Sequence, residues 1–405
     1  MSLNETPLAN RVHIGIFGKR NAGKSSLINA LSGQNVAIVS HTKGTTTDPV
    51  YKTMELSPLG PIALIDTPGI DDGGELGSLR VKRAMATLNK IDAAIVAIDA
   101  AIGLDETDRD LLRLLRSKDI PYVVAHNKSD LLDLPPQTDE NAIAVSAKTG
   151  ENIDALKAQI AALTKVGDPK LRIAGDLIGA GDFVVLVTPI DKSAPKGRLI
   201  LPQQQTIRDV LEADAVAIVV KEFELRQTLA SLGKKPALVV TDSQVFAKVA
   251  ADVPRDIPLT SFSILFARYK GFLARSLEGA VAIDRIKDGD RILISEGCTH
   301  HRQCDDIGRV KLPRWIKSYA NKRPEFDFTS GGEFPEDLSG YRLIVHCGGC
   351  MLNEREMRYR RGLAVDQGAA ITNYGVLIAH MQGILKRSVA MFPHLAPLLE
   401  RVDRE

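Results

Sequence analysis

Gly18-Lys19-Arg20-Asn21-Ala22-Gly23-Lys24-Ser25 is the first stretch whose residue types and spacing could do chemistry. A strand-like run, RVHIGIFG, leads into it, and a helical pattern from Lys24 to Ser32 follows. In that setting the glycines let backbone N–H groups turn inward around phosphates, and the helix N-terminus adds partial positive charge. Lys24 is expected to reach the β- and γ-phosphates and Ser25 to ligate Mg²⁺, with Asn21, Ala22 and Ser26 completing the cradle. Asn127-Lys128-Ser129-Asp130, after the run YVVAHN, is by itself a short polar turn. Beside a phosphate loop it reads as a guanine selector. The Asp130 carboxylate can accept hydrogen bonds from both the N1–H and the 2-amino group of guanine, a pair that adenine does not offer. Ser146, Ala147 and Lys148 follow the last strand of this region and belong to the same base site. Asp66-Thr67-Pro68-Gly69 ends the run IALIDT. Asp66 is expected to hold Mg²⁺ through water, and the Gly69 N–H to sense the γ-phosphate. Thr45 and Thr46 lie where a first switch loop belongs, and Thr46 is expected to complete the Mg²⁺ shell.

A second constellation lies far downstream. All four cysteines fall late in the chain, at Cys298, Cys304, Cys347 and Cys350. Cys298-Thr299-His300 follows the run DRILIS, and His346-Cys347-Gly348-Gly349-Cys350 follows YRLIV. Each cluster thus begins at the carboxyl end of an expected strand, the edge where open parallel sheets bind ligands. Buried structural thiols, a closed Cys/His zinc site, a Cys347/Cys350 redox dithiol and an iron–sulfur cluster are all compatible with these residue types. Residue chemistry alone leaves zinc and iron–sulfur equal.

The elements that must position these groups are legible as alternating β-branched runs and amphipathic helical patterns. From residue 11 to residue 165 they imply a mostly parallel sheet covered on both faces, with helices around 79–89, 105–117 and 152–164. After a linker at 165–180, the runs FVVLVTPI, AVAIVV, PALVVT and IPLTSF form a smaller α/β unit. A long helical stretch, ILFARYKGFLARSLEGAVAIDRI, then leads into a third. The expected architecture is α/β: a P-loop GTPase domain over 1–168, followed by two smaller α/β domains with mainly parallel sheets over 180–262 and 263–405. The chain has 405 residues, 44% hydrophobic and 25% charged, which suits several globular domains. A net charge of +2 and 5% aromatic residues leave no basic, aromatic footprint for nucleic acid. No run of about 18 apolar residues is available to span a bilayer. The start MSLNETPLAN has neither the basic nor the apolar part of a signal peptide, so a cytoplasmic location is expected, with no membrane partner.

The nucleotide motifs resemble those of the translation-factor-like GTPases, most closely the branch that includes the tRNA-modification GTPase MnmE/TrmE. In that branch the position of Asn21 coordinates K⁺ beside the phosphates. Ile70 stands where Ras-like enzymes place a water-orienting glutamine. The resemblance therefore implies slow intrinsic GTP hydrolysis stimulated by K⁺, which supplies positive charge in place of an arginine finger. Asp71, Asp72 and Glu75 are the acidic candidates for positioning water.

Cys-x-His, a long gap and His-Cys-x-x-Cys behind such a GTPase resemble the HydF family of [FeFe]-hydrogenase maturation GTPases. The segment LVTPIDKSAPKGRLILPQQQTIRDVL resembles that family as well. The resemblance implies a [4Fe-4S] cluster on Cys298, Cys347 and Cys350, with His300 and His346 as near-cluster or occasional fourth ligands. Cys304 and His301 lie outside the family pattern. It further implies a homodimer formed through residues 180–262, radical-SAM maturases and apo-[FeFe]-hydrogenase as partners, and a transient di-iron precursor as cargo. The contrasting reading is an RNA-modification or ribosome-assembly GTPase with a zinc-binding accessory domain.

Overall fold

Runs of Ile, Val and Ala bounded by Gly, Asp and Asn become the central strands of three sheets, because such runs are buried on both faces when helices cover a parallel sheet. The computed structural model describes residues 6–33, 38–39, 50–69, 85–133, 141–164, 172–190, 199–298 and 306–402. Thr45, Thr46, Ile70, Asp71, Asp72, Glu75, His300, His301 and Cys304 lie outside the described residues, as does most of the helix expected at 79–89. The chain divides into two compact units, Met1–Pro169 and Lys170–Glu405.

In the first unit the strands are β1 (Val12–Phe17), β2 (Ile38–Val39), β3 (Val50–Leu56), β4 (Gly60–Asp66), β5 (Ala93–Asp99), β6 (Tyr122–Asn127) and β7 (Ala142–Ala144). Their order is β2-β3-β4-β1-β5-β6-β7. The sheet is parallel from β4 to β7, whereas β3 runs antiparallel to both β2 and β4. Neither β2 nor β3 is among the expected strands. VYKTMEL mixes Lys, Thr and Glu with its apolar residues, as suits the antiparallel margin of a sheet. Helices Lys24–Ser32, Glu106–Ser117 and Ile153–Thr164 complete the layers described here. The parallel order places the ends of β1, β4, β6 and β7, and so the loops that follow them, along one edge.

The second unit holds two all-parallel sheets. The first consists of β8 (Phe183–Val187), β9 (Val216–Val220), β10 (Leu238–Thr241) and β11 (Leu259–Ser261), ordered β11-β10-β8-β9. The second consists of β12 (Arg291–Glu296), β13 (Glu325–Ser330), β14 (Leu343–His346) and β15 (Ala370–Asn373), ordered β13-β12-β14-β15. One apolar cluster runs from Val185 and Val240 through Phe266 and Phe272 to Leu293 and Ile344, so the two sheets share a core. The long helical stretch expected between them is broken. Helix Phe262–Tyr269 ends, Gly271 adopts φ +66°, and helix Leu273–Ala280 starts anew. Glycine tolerates that left-handed backbone, so the stretch folds back as two short helices. Among the described residues no helix is long and apolar enough to cross a membrane.

Candidate functional site

The phosphate loop is built on two glycines where a side chain would be strained. Gly18 has φ +142°, and a Cβ there would lie 2.3 Å from the Ala97 carbonyl oxygen. Gly23 has φ +89°, and its Cβ would lie 2.1 Å from Asn127 Nδ2. The second contact marks how the site is assembled. Asn127, buried at the end of β6, donates from Nδ2 to the Ala22 carbonyl at 3.0 Å, while its Oδ1 accepts from the Ala147 N–H at 3.0 Å. One amide thus fastens the phosphate loop to the Ser146–Lys148 loop.

On the base side, Ser146 Oγ donates to Asp130 Oδ1 at 2.6 Å and accepts from the Thr149 N–H at 3.1 Å. These two bonds hold the exposed Asp130 carboxylate against the Ser146–Lys148 loop. Lys128 takes φ +67° and pairs with Asp99 Oδ2 at 2.6 Å. Lys148 is exposed beside them. At the phosphate end, Lys24 Nζ donates to the carbonyls of Gly18 at 2.9 Å and Lys19 at 2.7 Å, so the ammonium lies directly over the loop. Ser25 Oγ donates to Asp66 Oδ2 at 3.3 Å, which brings together the two side chains expected to share Mg²⁺. Desolvation raises the Asp66 carboxyl above its usual range, opposed by the positive charge of Lys24. Asn21 and Ser26 are exposed on the loop and its helix, Asn21 with φ +63°, and Gly69 is buried just past β4. Asp99 and the ion pair of Lys19 with Asp105 were not among the expected site residues.

The cysteine centre stands at the carboxyl ends of β12 and β14. Their parallel register places Ser295 beside His346, and the Cys347 N–H donates to the Ser295 carbonyl at 2.9 Å. Cys347 Sγ then accepts from the N–H of Gly297 at 3.0 Å, the residue directly before Cys298, and from the N–H of Gly349 at 3.4 Å. Cys298, Cys347 and Cys350 form no disulfide, and each is half-buried. Desolvation pushes the Cys350 thiol up to about 12, with a further upward push from Cys347. Cys347 is raised for the same first reason, partly offset by its two N–H donors. Thiols so placed ionise when a cation compensates them, which is the chemistry of a metal-thiolate site. Soft sulfur donors that already carry N–H···S bonds fit an iron–sulfur cluster. Among the described residues, no three His, Cys, Asp or Glu side chains form a preassembled single-ion site.

Beneath the cysteines lies a buried polar layer that the sequence did not disclose. His346 is fully buried. Its Nδ1 lies 2.8 Å from the Cys347 carbonyl, and its Nε2 lies 3.1 Å from Arg360 Nη1. Burial, then the Arg360 charge, lowers the His346 pKa to about 3. Arg360, 1% exposed, also donates to Glu356 Oε1 at 2.6 Å and to the Gly331 carbonyl at 2.7 Å, and it stacks 5.0 Å from the Phe334 ring centroid. On the other side Tyr374 Oη donates to Glu296 Oε1 at 3.4 Å.

The sheet, the phosphate loop and the guanine-selecting turn define a P-loop GTPase, and residues 13–128 match the sequence model of the 50S ribosome-binding GTPase. Residues 173–271 match that of the hydrogen maturase F dimerization domain, and residues 276–391 that of the hydrogen maturase F tetramerization domain. The chain belongs to the hydrogen maturase F family, HydF. It joins a P-loop GTPase domain to the dimerization and tetramerization domains of that family. The tRNA modification GTPase MnmE of Nitrosomonas europaea is 35% identical over 170 residues, 41% of this chain and 37% of that protein. MnmE of Legionella pneumophila (strain Corby) is 38% identical over 149 residues, 36% of this chain and 33% of that protein. The chain thus matches about a third of the length of these curated relatives. Among solved structures, Era of Aquifex aeolicus bound to GDP·AlF₄⁻ is 22% identical, covering 55% of this chain and 98% of that one at a TM-score of 0.33.

Proposed function

We propose that this protein is a GTP-regulated iron–sulfur scaffold that accepts a di-iron precursor and delivers it to apo-[FeFe]-hydrogenase. The observation that carries the reading is the seat of Cys347 Sγ on the Gly297 N–H, which sets Cys298 and the Cys347–Cys350 turn at adjacent strand ends. Cys298, Cys347 and Cys350 would hold a [4Fe-4S] cluster, with His300 in the segment that follows Cys298. When bound, the cluster supplies an iron with an exchangeable coordination position, suited to a transient bridging ligand such as cyanide on the cargo. Labile attachment serves a carrier, which must release what it binds.

In the GTPase unit, Lys24 would bind the β- and γ-phosphates, Ser25 and Asp66 would share Mg²⁺ with Thr46, and the Gly69 N–H would meet the γ-phosphate. Asn127, Lys128, Asp130 and Ser146–Lys148 would hold the base. Asn21, exposed on the loop, would coordinate K⁺ and make a slow hydrolysis K⁺-dependent. GTP would time the exchange of partners, the radical-SAM maturases on one side and apo-hydrogenase on the other. Residues 180–262 would pair two protomers in a cytoplasmic homodimer. Val216 and Val219, 42% and 43% exposed on the edge strand β9, favour that use of the sheet.

Anaerobic purification tests the cluster. The wild-type protein should be brown and contain iron and sulfide, and Cys298→Ser, Cys347→Ser and Cys350→Ser should each lose most of both. Colourless protein carrying one zinc per chain would overturn the reading in favour of a zinc-stabilised accessory domain.

A further inference from the structure

Both ring nitrogens of His346 are already engaged. A carbonyl oxygen only accepts, so Nδ1, 2.8 Å from the Cys347 oxygen, must carry the proton. A guanidinium only donates, so Nε2, 3.1 Å from Arg360 Nη1, must offer its lone pair. The tautomer is therefore set by its neighbours, and no lone pair is left for iron. Arg360 has little freedom to withdraw. Its Nη2 is held by Glu356 Oε1 at 2.6 Å and by the Gly331 carbonyl at 2.7 Å, its plane lies against Phe334, and its side chain is 1% exposed. Glu356 and Arg360 sit one turn apart on the inward face of the helix Glu354–Asp366, and the Asn353 side chain caps the start of that helix.

We propose that Glu356, Arg360 and His346 form a relay that orients the Cys347 backbone, and that His346 acts as a positioning residue and does not ligate the cluster. The relay runs from the helix behind the Cys-x-x-Cys turn, through a buried guanidinium, to the carbonyl of the central cysteine. It fixes the peptide that follows Cys347 and so the direction in which the sulfur faces Gly297. His346 is thereby removed from the candidates for the fourth coordination position of the cluster. The proposal rests on the cluster-carrier reading for its functional meaning, while the relay itself belongs to the protein without iron.

The test begins with protein labelled with ¹⁵N-histidine, the His346 signals being those that vanish in His346→Asn. Without iron, the ring should be neutral and protonated at Nδ1. An Nε2-protonated ring would overturn the relay. After reconstitution with iron and sulfide, pulsed EPR of the reduced cluster should show no nitrogen coupling that disappears in His346→Asn; a strong coupling of that kind would overturn the positioning role. Arg360→Met should speed removal of iron by a chelator about tenfold, the scale of losing a group that orients a metal ligand. Arg360→Lys, which keeps one donor, should fall between it and wild type, and His346→Asn, whose amide can still donate to the Cys347 carbonyl, should retain iron better than His346→Leu. Unchanged iron release in Arg360→Met would also overturn the proposal. If wild-type protein takes up no cluster, the carrier reading fails, and the tautomer measurement still decides the relay.

Discussion

Asn127 Nδ2 donates to the carbonyl oxygen of Ala22 at 3.0 Å, joining positions 105 residues apart in sequence. Since Oδ1 of the same amide accepts from the Ala147 N–H, base loop and phosphate loop cannot shift independently. Asn127→Ala would leave the half-buried Ala147 N–H and the buried Ala22 carbonyl without this partner, at a cost of about 1–3 kcal/mol. GTP affinity should fall at least about tenfold with little change in Mg²⁺ requirement, as read by titration with a fluorescent GTP analogue. Equal affinity in variant and wild type would show that the bridge is dispensable.

The orientation of Asp130 by Ser146 predicts a change of base preference. Asp130→Asn replaces one acceptor oxygen by a donor amide, which suits the 2-oxo group of xanthine and repels the 2-amino group of guanine. The variant should hydrolyse XTP in preference to GTP, a reversal visible in a two-nucleotide competition assay. Ser146→Ala should weaken GTP binding by a smaller factor, since it loosens Asp130 without altering it.

Asn21, held at φ +63° on the rim of the phosphate loop, carries the K⁺ prediction. Hydrolysis should be faster in K⁺ than in Na⁺ at equal ionic strength, and Asn21→Ala should abolish the difference. Equal rates in the two salts for the wild type would remove K⁺ from the account.

Much of the nucleotide site was legible because its motifs are contiguous and because the backbone they require is restrictive. Gly18 and Gly23 occupy places that a Cβ would fill, and a phosphate loop declares that need in its spacing. The partners Asp99 and Asp105 were not legible, since a carboxylate at a strand end or a helix cap has nothing in its local sequence that marks an ion pair. The same holds more strongly for Arg360. It lies in the run EREMRYRRG, whose charge density reads as a solvated helix face, yet Glu356, Met357, Arg360 and Ala364 are the buried side chains. Strands β13 and β15 also escaped notice. EFDFTS is only half-buried, and AITN is four residues long, too short for its periodicity to stand out. Gly271 broke a helical pattern that its neighbours alone would have continued.

The edge strand β9 predicts how dimerisation can be disturbed. Val219→Lys places a charge on the exposed edge while leaving the buried face of the sheet intact. Sedimentation should shift from dimer toward monomer, with GTP hydrolysis per chain preserved. An unchanged dimer would move the interface away from β9.

Carriage of cargo by the cysteine domain under GTPase control is the role proposed above. Its most direct measurement loads anaerobically reconstituted protein with a di-iron precursor and mixes it with apo-[FeFe]-hydrogenase, reading hydrogen evolution. The account predicts activity that requires Cys298, Cys347 and Cys350 and whose rate of appearance depends on the bound nucleotide. Loaded wild-type protein that yields no hydrogenase activity would contradict it.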